Sequence, residues 1–241
     1  MRLLFFSVMF FLIYFCGVIY ADEVIWNKKL TVGYDRSAGN TDSSQMNASV
    51  FINRNHKYVN EMMLKGDAYY SSSDKKMDAQ KWYGMGRYAF SFGGKKWYNF
   101  YKFEADHDRF TNVDYRLVPS AGLGYWFSDL DEFKALTEVS IGSEHTNYRD
   151  TTPDSDEAIF ISRVFIEKTI FENSKISQDA YWYPALEDFG DYRVHAETVF
   201  TTSLSENLSL NFSFIDDYDS EPAGDTKKND TRFISSMSYS F

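Results

Sequence analysis

Cysteine, basic side chains and long apolar runs are all scarce in this 241-residue chain. The one cysteine is Cys16, so residues 22–241 contain none and are not stabilised by disulfides or by a thiolate metal site. Acidic residues outnumber basic ones by 35 to 25, which argues against nucleic-acid binding because phosphate contacts depend on Lys and Arg. A mean hydropathy of −0.44 leaves no room for a bundle of transmembrane helices, each of which needs about 20 apolar residues.

The first segment has the pattern of a secretory signal peptide. Arg2 gives a positive start, residues 3–18 are nearly all apolar, and residues 19–21 form a cleavage site ahead of Asp22. An uncleaved membrane anchor is the alternative, but the chain turns polar at once and no positive stop-transfer cluster follows. We therefore predict a signal peptide over residues 1–21 and one mature domain over residues 22–241, with a net charge of −11.

Period-two alternation dominates the mature chain and predicts amphipathic β-strands. In the last run, serines at 236, 238 and 240 alternate with an apolar face formed by Phe233, Met237, Tyr239 and Phe241. Turn signals divide the chain into twelve such runs. These runs cover residues 27–36, 44–53, 57–71, 79–92, 96–108, 114–128, 133–147, 157–171, 175–186, 190–203, 207–218 and 229–241. The fold class is all-β.

Short and long connectors alternate between these runs. The short ones are residues 53–56, 93–94, 128–132, 172–174 and 205–206. The longer and more polar ones are residues 37–43, 72–78, 109–113, 148–156, 187–189 and 219–228. This rhythm is typical of an antiparallel up-and-down barrel with about twelve strands, one tight-turn end and one loop end.

Three features favour a transmembrane barrel over a soluble lipocalin-like barrel. Twelve strands enclose a lumen too wide for the apolar side chains to fill, so the apolar face is expected to point outward to lipid. Aromatic residues cluster near strand ends, where interfacial girdles form, at Trp26, Trp82, Trp97, Phe127, Phe171, Trp182 and Phe200. The chain ends in Phe241, a terminal pattern used as a signal by the bacterial barrel-assembly machinery. We expect Phe233, Met237, Tyr239 and Phe241 to form that signal.

Several motifs resemble a known family. They include Asp114-Tyr115-Arg116-Leu117, Tyr183-Pro184-Ala185-Leu186-Glu187-Asp188, Tyr218-Asp219-Ser220-Glu221-Pro222 and the terminal Tyr239-Ser240-Phe241. Together these resemble the YdiY-like family of salt-induced outer-membrane proteins, a domain-of-unknown-function family. The resemblance is strongest from residue 104 to residue 241. It implies a bacterial outer-membrane β-barrel linked to salt or osmotic stress, and it supplies no catalytic residues.

Placing the apolar face against lipid puts a set of charged residues in the lumen. These are Arg87, Lys102, Glu104, Asp106, Arg116, Glu138, Glu144, Arg163, Glu167, Arg193, His195 and Glu197. One interpretation is a narrow or partly occluded diffusion channel whose charges select small solutes. The other is a closed barrel with a structural or surface-interaction role, in which arginines and carboxylates pair across the lumen as a plug.

An enzyme is not expected. Among four histidines only His195 faces inward, and its neighbours Arg193 and Glu197 suit a charge network better than a Ser-His pair. No hydrolase signature occurs, which leaves an outer-membrane hydrolase as a minor alternative. We therefore predict no catalytic residue, no metal and no cofactor. The expected location is the outer membrane with both termini in the periplasm, and the expected partners are outer-membrane lipid and lipopolysaccharide.

Overall fold

The computed structural model describes residues 24–37, 43–56, 59–74, 76–92, 96–109, 111–223 and 226–241. Within these ranges no helix is long and apolar enough to cross a membrane. The twelve strands are β1 Val24–Ser37, β2 Ser43–His56, β3 Asn60–Ser73, β4 Lys76–Phe92, β5 Trp97–Asp108, β6 Val113–Leu130, β7 Phe133–Tyr148, β8 Ser155–Phe171, β9 Ser174–Pro184, β10 Tyr192–Ser203, β11 Leu208–Asp219 and β12 Asn229–Ser240.

Each strand pairs antiparallel with its neighbours in the chain, and β12 pairs with β1 to close the barrel. The predicted fold class is confirmed, and the strand boundaries differ from the predicted runs by at most three residues. Alternating aromatic and β-branched residues explain this agreement, since they suit a pleated surface with one face in an apolar environment. The predicted signal peptide lies outside the described residues.

Two predicted connectors are wrong. Residues 53–56 were expected to form a short connector, but they are the last residues of β2, which ends at His56. Residues 72–78 were expected to form a long link, but β3 continues to Ser73 and β4 begins at Lys76. A register shift between Ser71 and Ser72 carries the ladder through this polar segment. The polar side chains do not end the strands, because the hydrogen bonds of the ladder join backbone groups and form whether the side chains are polar or apolar. The other loop-end connectors are longer, and the β11–β12 connector is the longest.

The barrel is apolar outside and mostly polar inside. Outward positions carry exposed residues such as Leu30, Val32, Ile141, Phe214 and Phe233. The buried polar and charged positions face the lumen. They include Asn53, Arg87, Lys102, Glu104, Glu138, Ser140, Glu144, Asn211, Ser213, Ser236 and Ser238. This is the arrangement found in barrels that are solvated by lipid.

The interior is less polar than expected. Two apolar clusters lie inside the barrel, which corrects the expectation of a polar lumen. One cluster consists of Ala89, Tyr98 and Phe100, with Trp126 packed against it. The other consists of Val118, Ile159 and Ile161, with Tyr181 and Tyr183 packed against it. Both lie on the β4–β9 side, where the lumen is filled.

The seam between β1 and β12 is short. Four residue pairs join these strands, from Lys29 opposite Ser240 to Val32 opposite Met237, whereas β1 and β2 pair along fourteen residues. Two further bonds lengthen the contact. The Phe241 backbone N–H donates to the Lys28 carbonyl at 3.1 Å, and the Gln45 side chain donates to the Phe233 carbonyl at 3.1 Å. The last residue therefore takes part in closing the barrel.

Candidate functional site in the barrel interior

Glu138 on β7 is the centre of the first charge cluster. Its carboxylate accepts hydrogen bonds from Arg87 Nη2 at 2.5 Å, from the Tyr98 hydroxyl at 2.7 Å and from Arg163 Nη1 at 3.2 Å. Arg87 lies on β4, so its bond to Glu138 passes over two intervening strands. Each of the two arginines also binds a second carboxylate. Arg87 pairs with Glu61 at 2.7 Å, and Arg163 pairs with Asp179 at 2.7 Å.

Gly124 makes room for this cluster. Gly124 lies opposite Tyr98 in the β5–β6 register, and a Cβ atom at Gly124 would overlap the Tyr98 ring. The Arg87 guanidinium in turn stacks over Tyr98 and Phe100, with centroid distances of 5.4 and 5.2 Å. Apolar packing and ion pairing therefore fix the same side chains.

Lys102 and Glu104 form the middle level and reach the opposite wall through tyrosines. They pair with each other at 2.8 Å, and Lys102 Nζ lies 4.8 Å from the ring centroid of Tyr181 on β9. Glu104 accepts from the Tyr83 hydroxyl at 2.7 Å and lies 3.5 Å from the Tyr183 hydroxyl. A cation–π contact and a hydrogen bond thus connect β5 with β9 across the lumen.

Glu144 holds the level nearest the loops. It pairs with Arg116 at 3.0 Å and also accepts from Arg193 Nη2, which reaches it from β10. Asp106 lies 3.7 Å from Arg116. Levels built on Glu138, Lys102–Glu104 and Glu144 therefore cross the interior at successive heights, and we call these three levels the occluding network.

A fourth charge cluster near the loops involves β11 and β12. Asp217 accepts from His195 and from Arg232, each at 2.6 Å, while Lys81 on β4 lies 3.8 Å from it. Lys81 also pairs with Asp108 at 2.6 Å and with Asp230 at 2.8 Å. This cluster is more accessible than the occluding network.

The interior lysines outside the occluding network are more exposed. Lys65 on β3 pairs with Asp67 at 3.2 Å, and Lys175 on β9 pairs with Glu167 at 2.7 Å. The exposed fractions of the Lys65 and Lys175 side chains are 36% and 47%, against 6% for Arg87 and 4% for Glu138. Water reaches the lysines, while the centre of the occluding network, at Arg87 and Glu138, is dry.

The loop-end mouth is acidic. A cavity of about 40 Å³ opens there between Arg116, Glu144, Glu157, Asp191 and Glu221. Partial burial raises the pKa of the Asp191 carboxyl above its ordinary value, and the neighbouring carboxylates of Glu157 and Glu221 raise it further. Within the described ranges, no group of three or more His, Cys, Asp or Glu residues is arranged to hold a metal ion.

The structure brings most of the sequence-predicted residues together. Arg87, Lys102, Glu104, Asp106, Arg116, Glu138, Glu144, Arg163 and Arg193 lie in the occluding network or at its edge. Three predicted residues lie elsewhere. Glu167 is bound by Lys134 and Lys175, His195 is bound to Asp217, and Glu197 has no cation within 4.0 Å in the part of the chain that the structure describes.

Sequence reasoning missed the residues that complete the interior. Lys81 shares the strand parity of Arg87, and Tyr98 and Phe100 share that of Lys102, so strict alternation would have placed all of them inside. Tyr98 and Phe100 carry no charge, so a prediction built on charged residues leaves them out, whereas Lys81 meets the rule and was nevertheless missed. The hydroxyl contacts of Tyr83, Tyr98 and Tyr183 depend on the barrel diameter, which alternation does not give.

Comparison with known proteins gives a family and a fold. A family model described as "Protein of unknown function, DUF481" matches residues 30–241. The structure is similar to the NanC porin, with a TM-score of 0.54 and 9% identity over 88% of this chain and 98% of that chain. Matches also include the KdgM porin (TM-score 0.47, 10% identity, 89% and 99% covered) and the translocator domain of the autotransporter NalP from Neisseria meningitidis (0.47, 7%, 98% and 93%). No curated protein sequence matches the chain. The fold is therefore that of a porin-like β-barrel.

Proposed function

The chain belongs to the DUF481 family, and from the geometry of its interior we propose that it is a narrow, partly occluded diffusion channel of the outer membrane. The contrast between a dry and a wet side of the lumen carries this proposal. The inner faces of β11 and β12 carry small side chains at Asn211, Ser213, Ser236 and Ser238; these are buried, and we infer the space beside the occluding network from their small size alone. The accessible Lys65 and Lys175 side chains border that space.

A closed barrel with a structural or surface-interaction role is the second candidate. The cross-lumen bonds of Arg87 to Glu138 and of Arg193 to Glu144 favour it, because buried charges that span a lumen fill it. The two candidates differ in one observable quantity. A channel passes a small steady current in a planar bilayer, and a closed barrel passes none.

The test is planar-bilayer recording of the purified barrel together with an Arg163→Gln/Arg193→Gln double variant. We expect a small wild-type conductance that rises in the double variant, because both arginines belong to the occluding network. A melting curve serves as the control for folding. Absence of current from a folded wild-type barrel would favour the closed form, and a current as large as that of a general porin would contradict the occlusion.

Location and orientation belong to the same proposal. We place both termini in the periplasm and the long connectors outside the cell, and we propose Phe233, Met237, Tyr239 and Phe241 as the signal read by the assembly machinery. A protease site inserted at Asp154, between β7 and β8, should be cut in intact cells. The same site inserted at Asn173, between β8 and β9, should be protected. The reverse pattern would contradict the orientation.

We further propose that this channel has a role in salt or osmotic stress. It rests on the resemblance of the loop and terminal motifs to the YdiY-like proteins. Protein levels should rise when NaCl in the medium is raised, and a deletion strain should grow more slowly at high salt than its complemented counterpart. A non-enzymatic role completes the proposal, and it is supported by the similarity of the fold to a porin.

A further inference from the structure

We propose that Lys29, together with Lys65, forms an anion-selective constriction on the open side of the lumen, so that the solutes of this channel are small anions. This inference rests on the proposed channel function and specifies its substrate class. It concerns residues outside the occluding network. The argument uses strand register, side-chain orientation and the balance of charged partners.

Register places the two lysines at one height. Lys29 on β1 lies opposite Phe51 on β2, and Phe51 lies opposite Lys65 on β3. Adjacent strands are about 4.8 Å apart, so the two lysine backbones are about 10 Å apart. We call Lys29, Phe51 and Lys65 the lysine row.

All three members of the lysine row point inward. Leu30, Val32 and Tyr34 are exposed on the outer face of β1, so alternation turns Lys29 to the lumen. Its ammonium lies 5.8 Å from the Phe51 ring centroid. Lys29 also interacts electrostatically with Lys175, Lys65, Glu197 and Glu167, which come from both walls. The lysine row is therefore within electrostatic reach of Lys175, Glu197 and Glu167.

Charge balance singles out Lys29. Lys65 is paired with Asp67, while Lys175 and Lys134 share Glu167. No carboxylate lies within 4.0 Å of the Lys29 ammonium among the residues that the structure describes. Its positive charge is therefore available to a mobile counter-ion, and accessible lysines nearby add to the attraction. Chloride, inorganic phosphate and small carboxylates share the chemistry that this site recognises.

The acidic mouth does not cancel this preference. Glu157, Asp191 and Glu221 lie at the loop end, whereas Lys29 lies nearer the tight-turn end of the barrel. At physiological salt the Debye length is about 8 Å, so charges separated by more than that act almost independently. Among the described residues of this region, Lys29 and Glu197 both lack a salt-bridge partner; Lys29 is exposed and Glu197 is half-buried, so we assign the ion preference to Lys29.

Adjacent lysines of opposite orientation provide a matched experiment. Lys29 faces the lumen, and Lys28 faces outward, where it stacks on Trp26 and Phe241 at 5.9 Å. Reversal potentials are recorded in a KCl gradient for the wild type, Lys29→Gln and Lys28→Gln. We expect an anion-preferring wild type, a loss of about fivefold in the chloride-to-potassium permeability ratio in Lys29→Gln, and no change in Lys28→Gln.

A second readout uses the absence of cysteine from residues 22–241. Lys29→Cys introduces a single thiol, which reacts with methanethiosulfonate reagents to form a mixed disulfide and release methanesulfinate. The anionic sulfonatoethyl reagent should block current faster than the cationic trimethylammonium reagent, because Lys65 and Lys175 remain nearby. Lys28→Cys, in contact with lipid, should give no block.

The outcomes separate the two proposals. A folded wild-type barrel without current overturns the channel and, with it, the constriction. A conducting barrel that prefers cations, or whose selectivity is unchanged by Lys29→Gln, overturns the constriction and leaves the channel standing. Faster block by the cationic reagent at position 29 would also overturn it. Anion preference that falls in Lys29→Gln and persists in Lys28→Gln supports it.

Discussion

The two sides of the barrel stabilise their interior charges differently. On the β4–β9 side, Arg87, Glu138 and Arg163 bond one another directly and exclude water. On the β1–β3 side, Lys65 has one carboxylate partner and remains partly exposed, and Lys175 does the same at the tight-turn end of β9. The first arrangement favours a rigid wall, and the second keeps charges available to solutes.

The difference follows from side-chain size and partner number. Inner faces with Tyr98, Phe100, Tyr181 and Tyr183 fill the lumen and bring guanidinium groups against carboxylates. Inner faces with serine and asparagine do not reach the opposite wall. A buried ion must be paired because desolvation costs several kcal/mol, whereas a hydrated ion need not be. The dry side should therefore respond to mutation far more strongly than the wet side.

The largest effect is expected at the seam. Deleting Phe241 removes the backbone bond to Lys28 and shortens a contact that already has four residue pairs. Unpaired backbone groups in lipid cost several kcal/mol each. The amount of heat-modifiable barrel in the outer membrane should fall to a minor fraction of the wild-type amount. The Phe241→Tyr variant, which keeps the backbone N–H and an aromatic ring, should reach the wild-type amount. Unchanged amounts would contradict both the closure role and the assembly signal.

Replacing one carboxylate on each side should give the next largest difference in stability. Glu138→Gln brings Arg87 and Arg163 together without their shared counter-charge and should cost about 3 kcal/mol of unfolding free energy. Glu197→Gln, on the wet side, should cost less than about 1 kcal/mol. Urea unfolding in detergent micelles measures both. Equal losses would show that the two sides do not differ in the way we describe.

Glycines on the two sides offer a steric test. Gly124→Ala should displace the Tyr98 ring and weaken its bond to Glu138, at a cost of about 1–3 kcal/mol. Gly66→Ala on β3 meets no atom within 4 Å and should leave stability unchanged. Melting temperatures of the two variants provide the comparison. A Gly124→Ala barrel as stable as the Gly66→Ala barrel would contradict the tight packing around Tyr98.

The smallest effect is expected in a loop that belongs to neither side. Hydrogen bonds from the Thr152 hydroxyl and backbone N–H lower the pKa of Asp150 to about 2, from an ordinary 3.8. The contribution of these hydrogen bonds to folding stability is therefore fully present above pH 3.8 and is lost as pH falls towards 2. Carboxyl NMR titration of the barrel in micelles should give a midpoint near 2. Thr152→Val should move it upward, and a wild-type midpoint near 3.8 would contradict the contact.

Alternation predicted the strands because lipid and lumen impose opposite polarity on successive residues. It placed Phe233, Met237 and Tyr239 on the outer face and Glu138 and Arg163 on the inner face without any knowledge of the barrel. It failed at residues 72–78, where polar side chains continue a strand whose backbone bonds do not depend on side-chain polarity. The polarity of successive residues was sufficient to predict a strand wherever one face of that strand contacts lipid.

The sequence by itself determined the number of strands, their faces and most of the inward charges, because each follows from a period of two and from the cost of exposing polar groups to lipid. Only the tertiary structure decided the partners. Arg87 reaches Glu138 and Arg193 reaches Glu144 because closure brings strands far apart in sequence to within side-chain reach. Lys29 is left without a carboxylate for the same reason. Barrel diameter and strand stagger fix those distances, and both are properties of the closed sheet as a whole.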